Sequence, residues 1–149
     1  MRIVIQRVSS AQVTVENKTI AVIKKGYLLL VGIEKSDTAA VVRRAAEKVV
    51  KLRLFEDDYD KTNLNLKAVD GEILSVSQFT LLAKTDKGNR PSFIEAMPPK
   101  PANELFECFN RNLRLEGIQV SSGQFGAHMQ VELTNDGPFT ILLHMKATD

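Results

Sequence analysis

Apolar and polar residues alternate along the first part of the chain, with the period of two that is typical of half-buried β-strands. The alternation covers residues 2–8 and 12–16, between which Ser9 and Ser10 form either a join or a bulge, and it returns at 19–23. The next segment, 27–33, is a continuous apolar run, which indicates a strand buried on both faces. Short turns between these strands favour an antiparallel meander.

Two later segments have the helical period instead. Residues 36–38 offer side chains that cap a helix N-terminus, and the apolar residues after them recur at helical spacing until about Leu52. A second helix is predicted over 101–116, because proline suits a first helical turn and Gly117 suits a helix end. The predicted buried faces are Val42, Ala45, Ala46, Val49 and Val50 for the first helix, and Leu105, Cys108, Phe109 and Leu113 for the second.

Short strands alternate with polar, turn-rich segments in the rest of the chain. Residues 57–70 and 85–101 are predicted as loops, the second because it contains four prolines and a glycine. The predicted strands are 72–78, 118–121, 129–134 and 139–145, with a further short one that starts at Leu52. These elements predict one α+β domain over residues 1–149, with a mostly antiparallel sheet or open barrel and two main helices.

Composition narrows the class of protein. Hydrophobic residues make up 44% and charged residues 26%, which is typical of a soluble globular domain and excludes disorder. A formal charge of +2 is too small for general nucleic-acid binding, so any RNA contact should be local. The single cysteine excludes an intrachain disulfide and a cysteine metal framework, and no metal or cofactor is expected.

The apolar runs are short. The longest, 28–31, cannot cross a bilayer, and the N-terminal residues lack the pattern of a secretory signal. We therefore expect a cytoplasmic protein without membrane contact.

No standard catalytic motif is present, whether nucleophile elbow, phosphate-binding loop, dinucleotide motif or metal-binding histidine pair. His128 and His144 fall on different predicted elements and are interpreted as surface or strand residues. Cys108 lies on the apolar helix face and is interpreted as part of the core.

Two segments remain as candidates for chemistry. The first is 77–81, where a buried strand meets a polar end, and the second is 135–140, where Gly-Pro joins two strands. Each alone suits a structural role. Together with 88–93 and 125–129, however, they resemble the D-aminoacyl-tRNA deacylase family in order, spacing and flanking sequence, and the resemblance covers the whole chain.

The resemblance implies a substrate ester between an amino acid and the 3′-terminal adenosine of tRNA, and a role for each segment. The main chain around Phe79 and Thr80 faces the scissile carbonyl, and the substrate's own 2′-hydroxyl assists, with Thr80 as direct nucleophile the rival proposal. The implied catalytic residues are Ser77, Gln78, Phe79 and Thr80. The implied adenosine contacts are Phe125, Ala127 and Met129.

Chiral selection is assigned by the resemblance to Gly137 and Pro138, joined by a cis peptide bond whose carbonyls occupy the space of an L-side chain. Such a filter cannot strongly refuse glycine, so glycyl-tRNA is an expected secondary substrate. The resemblance also implies a homodimer in which each Gly-Pro segment completes the pocket of the other subunit.

Two other functions remain open from the residues alone. The chain could be a noncatalytic module that holds RNA 3′ ends through Lys84, Lys87 and Arg90. It could also be a hydrolase of a broader range of small esters or amides.

Overall fold

The secondary structure consists of strands and two helices over the residues that the computed structural model describes, 1–147. The strands are β1 (Arg2–Val15), β2 (Lys18–Ile23), β3 (Gly26–Gly32), β4 (Arg53–Glu56), β5 (Thr62–Asn65), β6 (Glu72–Ser77), β7 (Val120–Ser122) and β8 (Gln130–His144). The helices are α1 (Ala39–Lys51) and α2 (Pro99–Leu115). The predicted α+β class with two main helices is confirmed.

The main sheet has the strand order β2-β1-β3-β6-β7, and β8 pairs with β1 as well. Strand β1 is antiparallel to β2, β3 and β8, whereas β6 is parallel to both β3 and β7. The sheet is therefore mostly antiparallel, as predicted. The two parallel pairings follow from α1 and α2, since each helix lies between strands that run in the same direction.

The predicted meander is wrong, because β3 pairs with β1 and not with β2. Segments 2–8 and 12–16 form one strand of 14 residues, whose first half pairs with β3 and whose second half pairs with β2. The exposed Ser9 and Ser10 lie where the register against β8 shifts. Such an irregularity bends a strand, so that its two halves can meet different neighbours.

Strand β8 shows the same behaviour. Segments 129–134 and 139–145 were predicted as two strands with a turn between them, but they form one strand of 15 residues. Asn135 pairs with Val8 and Thr140 pairs with Gln6, so the four residues 136–139 lie opposite the single residue Arg7. The Asn-Asp-Gly-Pro sequence is thus a bulge on the ladder and not a turn between separate strands.

The predicted helices are present with small changes. The Thr38 hydroxyl accepts a hydrogen bond from the N–H of Val41 at 3.4 Å and caps α1, and the predicted face of α1 is buried. Helix α2 begins at Pro99, two residues before the predicted start, because the Pro98 carbonyl already accepts the Ala102 N–H at 3.0 Å. The predicted loop 57–70 is wrong in part, since Thr62–Asn65 form β5 against β4.

Apolar side chains fill both faces of the sheet. Along β3, Tyr27, Leu29 and Val31 face the helices, whereas the alternate residue Leu28 packs with Leu74 on the opposite face. The end of β6, the start of α2 and the segment before β8 meet at one edge of this core. Among residues 1–147, no helix combines the length and apolar character needed to cross a membrane.

Candidate active site

A pocket of about 590 Å³ opens where β6 ends, beside the first turn of α2. Its walls are mainly apolar, with a polar strip contributed by Ser77 and Gln78. The apolar lining residues are Ile33, Val76, Phe79, Phe93, Ala96, Met97, Pro98, Pro99, Ala102, Phe125, Ala127, Met129 and Val131. Apolar walls with a few polar groups are the usual composition of a small-ligand site.

The polar strip arises because the chain leaves the sheet at the end of β6. The Gln78 N–H still donates to the Val31 carbonyl at 2.8 Å, and a 3₁₀ turn then follows over Phe79–Leu82. The first internal bond of this turn runs from the Leu81 N–H to the Gln78 carbonyl at 3.3 Å. The N–H groups of Phe79 and Thr80 precede that bond and have no acceptor within the turn, so they are available to a ligand.

The side chain of Thr80 is exposed beside the pocket and does not line it. Its hydroxyl accepts a hydrogen bond from the Gln78 amide. Of the pocket-lining residues that the structure describes, only His128 carries an imidazole, and none carries a carboxylate, an amine or a thiol. The geometry gives Thr80 no hydrogen-bonded base, which a hydroxyl nucleophile needs.

A second wall is built by residues 125–129 and by Val131. Phe125 packs against Phe106 of α2, with ring centroids 6.1 Å apart. A Cβ on Gly123 would lie 2.6 Å from the sulfur of Met129, so glycine at 123 lets Met129 approach the main chain closely. The predicted adenosine contacts Phe125, Ala127 and Met129 therefore share one wall.

Sequence reasoning missed the third wall, which comes from the proline-rich segment. The ring of Phe93 meets that of Phe79 edge-on, with centroids 5.1 Å apart, and Met97 is held by its N–H bond to the Ile33 carbonyl at 3.0 Å. Two large apolar residues within a segment predicted as a surface loop were the available signal. Large apolar side chains are costly to expose to water, so their presence indicates that part of this loop packs against the rest of the domain.

Gly137 and Pro138 do not line this pocket. Both are exposed in the bulge of β8, and the bond between them is cis, as the resemblance implies. Gly137 has φ +136, and a Cβ there would lie 2.8 Å from the Phe139 nitrogen and 3.3 Å from the Arg7 guanidinium. The structure thus brings six of the nine predicted site residues into one pocket. Thr80 lies beside this pocket, whereas Gly137 and Pro138 lie in the bulge of β8.

Arg7 supports the Gly-Pro bulge from below, and sequence reasoning assigned it no role. Its buried guanidinium donates to the Leu54 carbonyl at 2.7 Å, the Asp136 carbonyl at 2.9 Å and the Glu56 carboxylate at 3.0 Å. It also lies 4.8 Å from the centroid of the Phe139 ring. The pKa of Glu56 is lowered by its own backbone N–H and then by Arg7.

Removing the Arg7 side chain is expected to destabilise the fold. Arg7→Ala leaves the carbonyls of Leu54 and Asp136 without their donor, and each buried acceptor left unsatisfied costs about 1–3 kcal/mol. Arg7→Lys should recover only part of this, because an ammonium cannot reproduce the forked geometry. Urea unfolding measures both. Arg43→Ala, on the exposed face of α1, is the control, and equal midpoints for Arg7→Ala and Arg43→Ala would contradict the assignment.

The chain is similar to known proteins over nearly its whole length. The family model for D-Tyr-tRNA(Tyr) deacylase matches residues 4–144. The chain belongs to this family. The D-aminoacyl-tRNA deacylase of Lactobacillus acidophilus is 59% identical over 145 residues, which cover 97% of this chain and 100% of that protein.

Solved structures of similar proteins agree in fold with this member of the deacylase family. A structure named "c-Myc DNA Unwinding Element Binding Protein" is 40% identical, with a TM-score of 0.92 over 99% of this chain and 100% of that one. A structure described as "a probable eukaryotic D-amino acid tRNA deacylase" is 18% identical, with a TM-score of 0.85 over 95% and 97%. The second likeness shows the fold alone.

Membership of the deacylase family makes this protein a hydrolase. The main-chain N–H groups of Phe79 and Thr80 begin the 3₁₀ turn beside the apolar slot, and the lining residues that the structure describes include no thiol and no hydroxyl–histidine pair. Such an arrangement can seat a flat ring and polarise a carbonyl.

Proposed function

We propose that the protein hydrolyses the ester that joins a D-amino acid to the 3′-terminal adenosine of tRNA, and so releases free tRNA and the free D-amino acid. One observation carries the proposal. Ser77, Gln78 and Phe79 lie in the same pocket as Phe125 and Met129, although the two segments are far apart in sequence. The substrate is made and used in the cytoplasm, so the proposal places the protein there.

The apolar side of the pocket suits the adenine base. Phe125 and Met129 offer an aromatic face and a polarisable thioether to a flat ring, and Ala127 between them leaves room for it. With the base against this wall, the ribose and its ester lie toward the end of β6. His128 stands at the mouth of the same wall, where it can contact the terminal nucleotide.

Hydrolysis then needs polarisation and a water molecule. The N–H groups of Phe79 and Thr80 hold the carbonyl oxygen and stabilise the negative charge that develops on it when water attacks the carbonyl carbon. The tetrahedral intermediate collapses by breaking the bond to the ribose oxygen. The free 2′-hydroxyl of the substrate accepts the proton of the water and passes it to the leaving oxygen, so that free tRNA and amino acid result. Gln78 positions Thr80 through the bond to its hydroxyl.

Gly137 and Pro138 supply the chiral filter. Their main-chain carbonyls occupy the space that an L-side chain at Cα would need, so rejection is steric and independent of the chemistry of the side chain. A D-side chain points away from them. Glycine has no side chain on either hand, so glycyl-tRNA should be a second substrate.

The filter must come from a second copy of the chain, because Gly137 and Pro138 do not line the pocket of their own chain. A row of apolar side chains supports such a homodimer. Leu142 lies opposite Val4, Val4 opposite Leu30, and Leu30 beside the pocket residue Val76. Neighbours in register share a face of the sheet, and Leu142 is 79% exposed. A second copy that covers this row reaches the pocket.

A panel of substrates tests the function. Purified protein is incubated with D-Tyr-tRNA, glycyl-tRNA and the ethyl ester of D-tyrosine, and free amino acid is measured. Release from both tRNA substrates only is the expected result. Release from none would indicate a noncatalytic module that holds RNA 3′ ends, and equal release from the free ester would indicate a broader ester hydrolase.

A further inference from the structure

A basic loop stands on the rim of the pocket. Lys84 and Ser92 exchange two backbone hydrogen bonds of 2.8 and 3.0 Å, which close residues 85–91 into a projection. The residue after this closure, Phe93, packs against Phe79 and lines the pocket. The loop is therefore fixed relative to the pocket mouth.

The basic residues at this loop differ in whether an acidic residue pairs with them. Lys84 is paired with Glu95 at 2.8 Å, and this lysine lowers the pKa of the glutamate. Lys87 and Arg90 have no carboxylate within 4 Å among residues 1–147, and both are exposed. Asp86 is the single acidic residue of segment 85–91, which keeps a net positive charge.

We infer that Lys87 and Arg90 bind the phosphates of the single-stranded tRNA 3′ end that leads into the pocket. The inference rests on the proposed function. A nucleotide seated in the pocket joins its neighbours through phosphates, and a strand that leaves the pocket past Phe93 runs beside this loop. Arginine binds a phosphate with two parallel hydrogen bonds, and lysine binds it as a point charge.

The small net charge of the chain makes this local contact important. At +2, the protein as a whole attracts RNA weakly, so affinity must come from cations placed along the path of the strand. Contacts of this kind position the strand and carry no sequence information. The loop would therefore serve all tRNAs alike and would have no role in chiral selection.

The test compares a substrate that has phosphates with one that has none. The wild-type protein and the variant K87E/R90E are assayed on D-Tyr-tRNA and on 3′-O-D-tyrosyl-adenosine. For the tRNA, KM is expected to rise about tenfold or more, with kcat within about twofold. For the adenosine ester, neither constant should change. In K87A/R90A, the slope of log kcat/KM against log salt should become shallower by about 1 per cation that binds a phosphate.

The matched control is R43E/R111E, which changes the net charge equally at two exposed helical positions outside the pocket. An equal rise in KM for both double variants would overturn the inference, because it would reflect net charge alone. An equal loss on both substrates would also overturn it, because the loop would then shape the pocket. If the wild-type protein cleaves neither substrate, the proposed function itself is refuted. If the wild-type protein cleaves both substrates and K87E/R90E has the same kinetics, only the proposed phosphate contacts of Lys87 and Arg90 are refuted.

Discussion

Ala127→Phe should lower kcat/KM for D-Tyr-tRNA by about 100-fold or more, which corresponds to roughly 2.7 kcal/mol of lost transition-state binding. Ala127 lies between Phe125 and Met129 on the wall assigned to adenine. A benzyl group there fills the space of the base, and neighbouring walls cannot withdraw because Phe125 is packed on Phe106 of α2. Single-turnover deacylation at several protein concentrations measures the loss.

Ala40→Phe is the matched control, because Ala40 is exposed on α1 and lies outside the pocket. Its kinetics should be those of wild type. Thermal unfolding of Ala127→Phe establishes that the variant is folded. If folded Ala127→Phe retains wild-type kcat/KM, then adenosine does not occupy this pocket.

Gly137→Ala should lower the ratio of D-Tyr-tRNA to L-Tyr-tRNA turnover by about tenfold or more, since each tenfold needs only about 1.4 kcal/mol of altered discrimination. At φ +136 an L-residue is strained, and the added Cβ would lie 2.8 Å from the Phe139 nitrogen. The main chain at 137 must therefore move, and the space that the proposed filter denies to an L-side chain moves with it. The two substrates are assayed side by side on one preparation.

Gly117→Ala is the control that separates the effect of backbone strain from an effect on the choice between D-Tyr-tRNA and L-Tyr-tRNA. Gly117 also has a positive φ, of +85, but a Cβ there would meet nothing within 4 Å, and the residue lies after α2. Its substitution should cost stability and leave the ratio unchanged. A Gly137→Ala protein as selective as Gly117→Ala would mean that handedness is read elsewhere.

The sequence predicts those elements whose signal is local. The buried face of α1 and its Thr38 cap follow from spacing within one helix, and both are present. The continuity of β8 could not be predicted, because the Gly-Pro bulge looks like a turn until β1 is known to run past it. A bulge at Ser9 and Ser10 was one of two interpretations of the sequence, but the change of partner strand there depends on long-range pairing. Strand β5 was missed because its polar residues gain strand structure only from pairing with β4.

The candidate site shows the same division. Residues 77–80 were identified through resemblance together with Phe125, Ala127 and Met129, and the structure brings all of them except Thr80 into one pocket. Arg7 could not be recognised in this way. The stabilising role of Arg7 depends on three hydrogen-bond acceptors, from Leu54, Glu56 and Asp136, that approach it only in the folded chain. No spacing rule within one segment reports such long-range contacts.

A heterodimer of the two active-site variants tests the central claim most directly. One chain carries Ala127→Phe and the other Gly137→Ala, and the mixed dimer is purified through two different tags. Its open pocket belongs to the Gly137→Ala chain, and in the proposed dimer this pocket receives the unaltered Gly137 and Pro138 of the other chain. If the filter acts across the interface, the D-to-L turnover ratio returns to that of wild type. A ratio as low as that of the Gly137→Ala homodimer would contradict the account, because each chain would then supply its own filter.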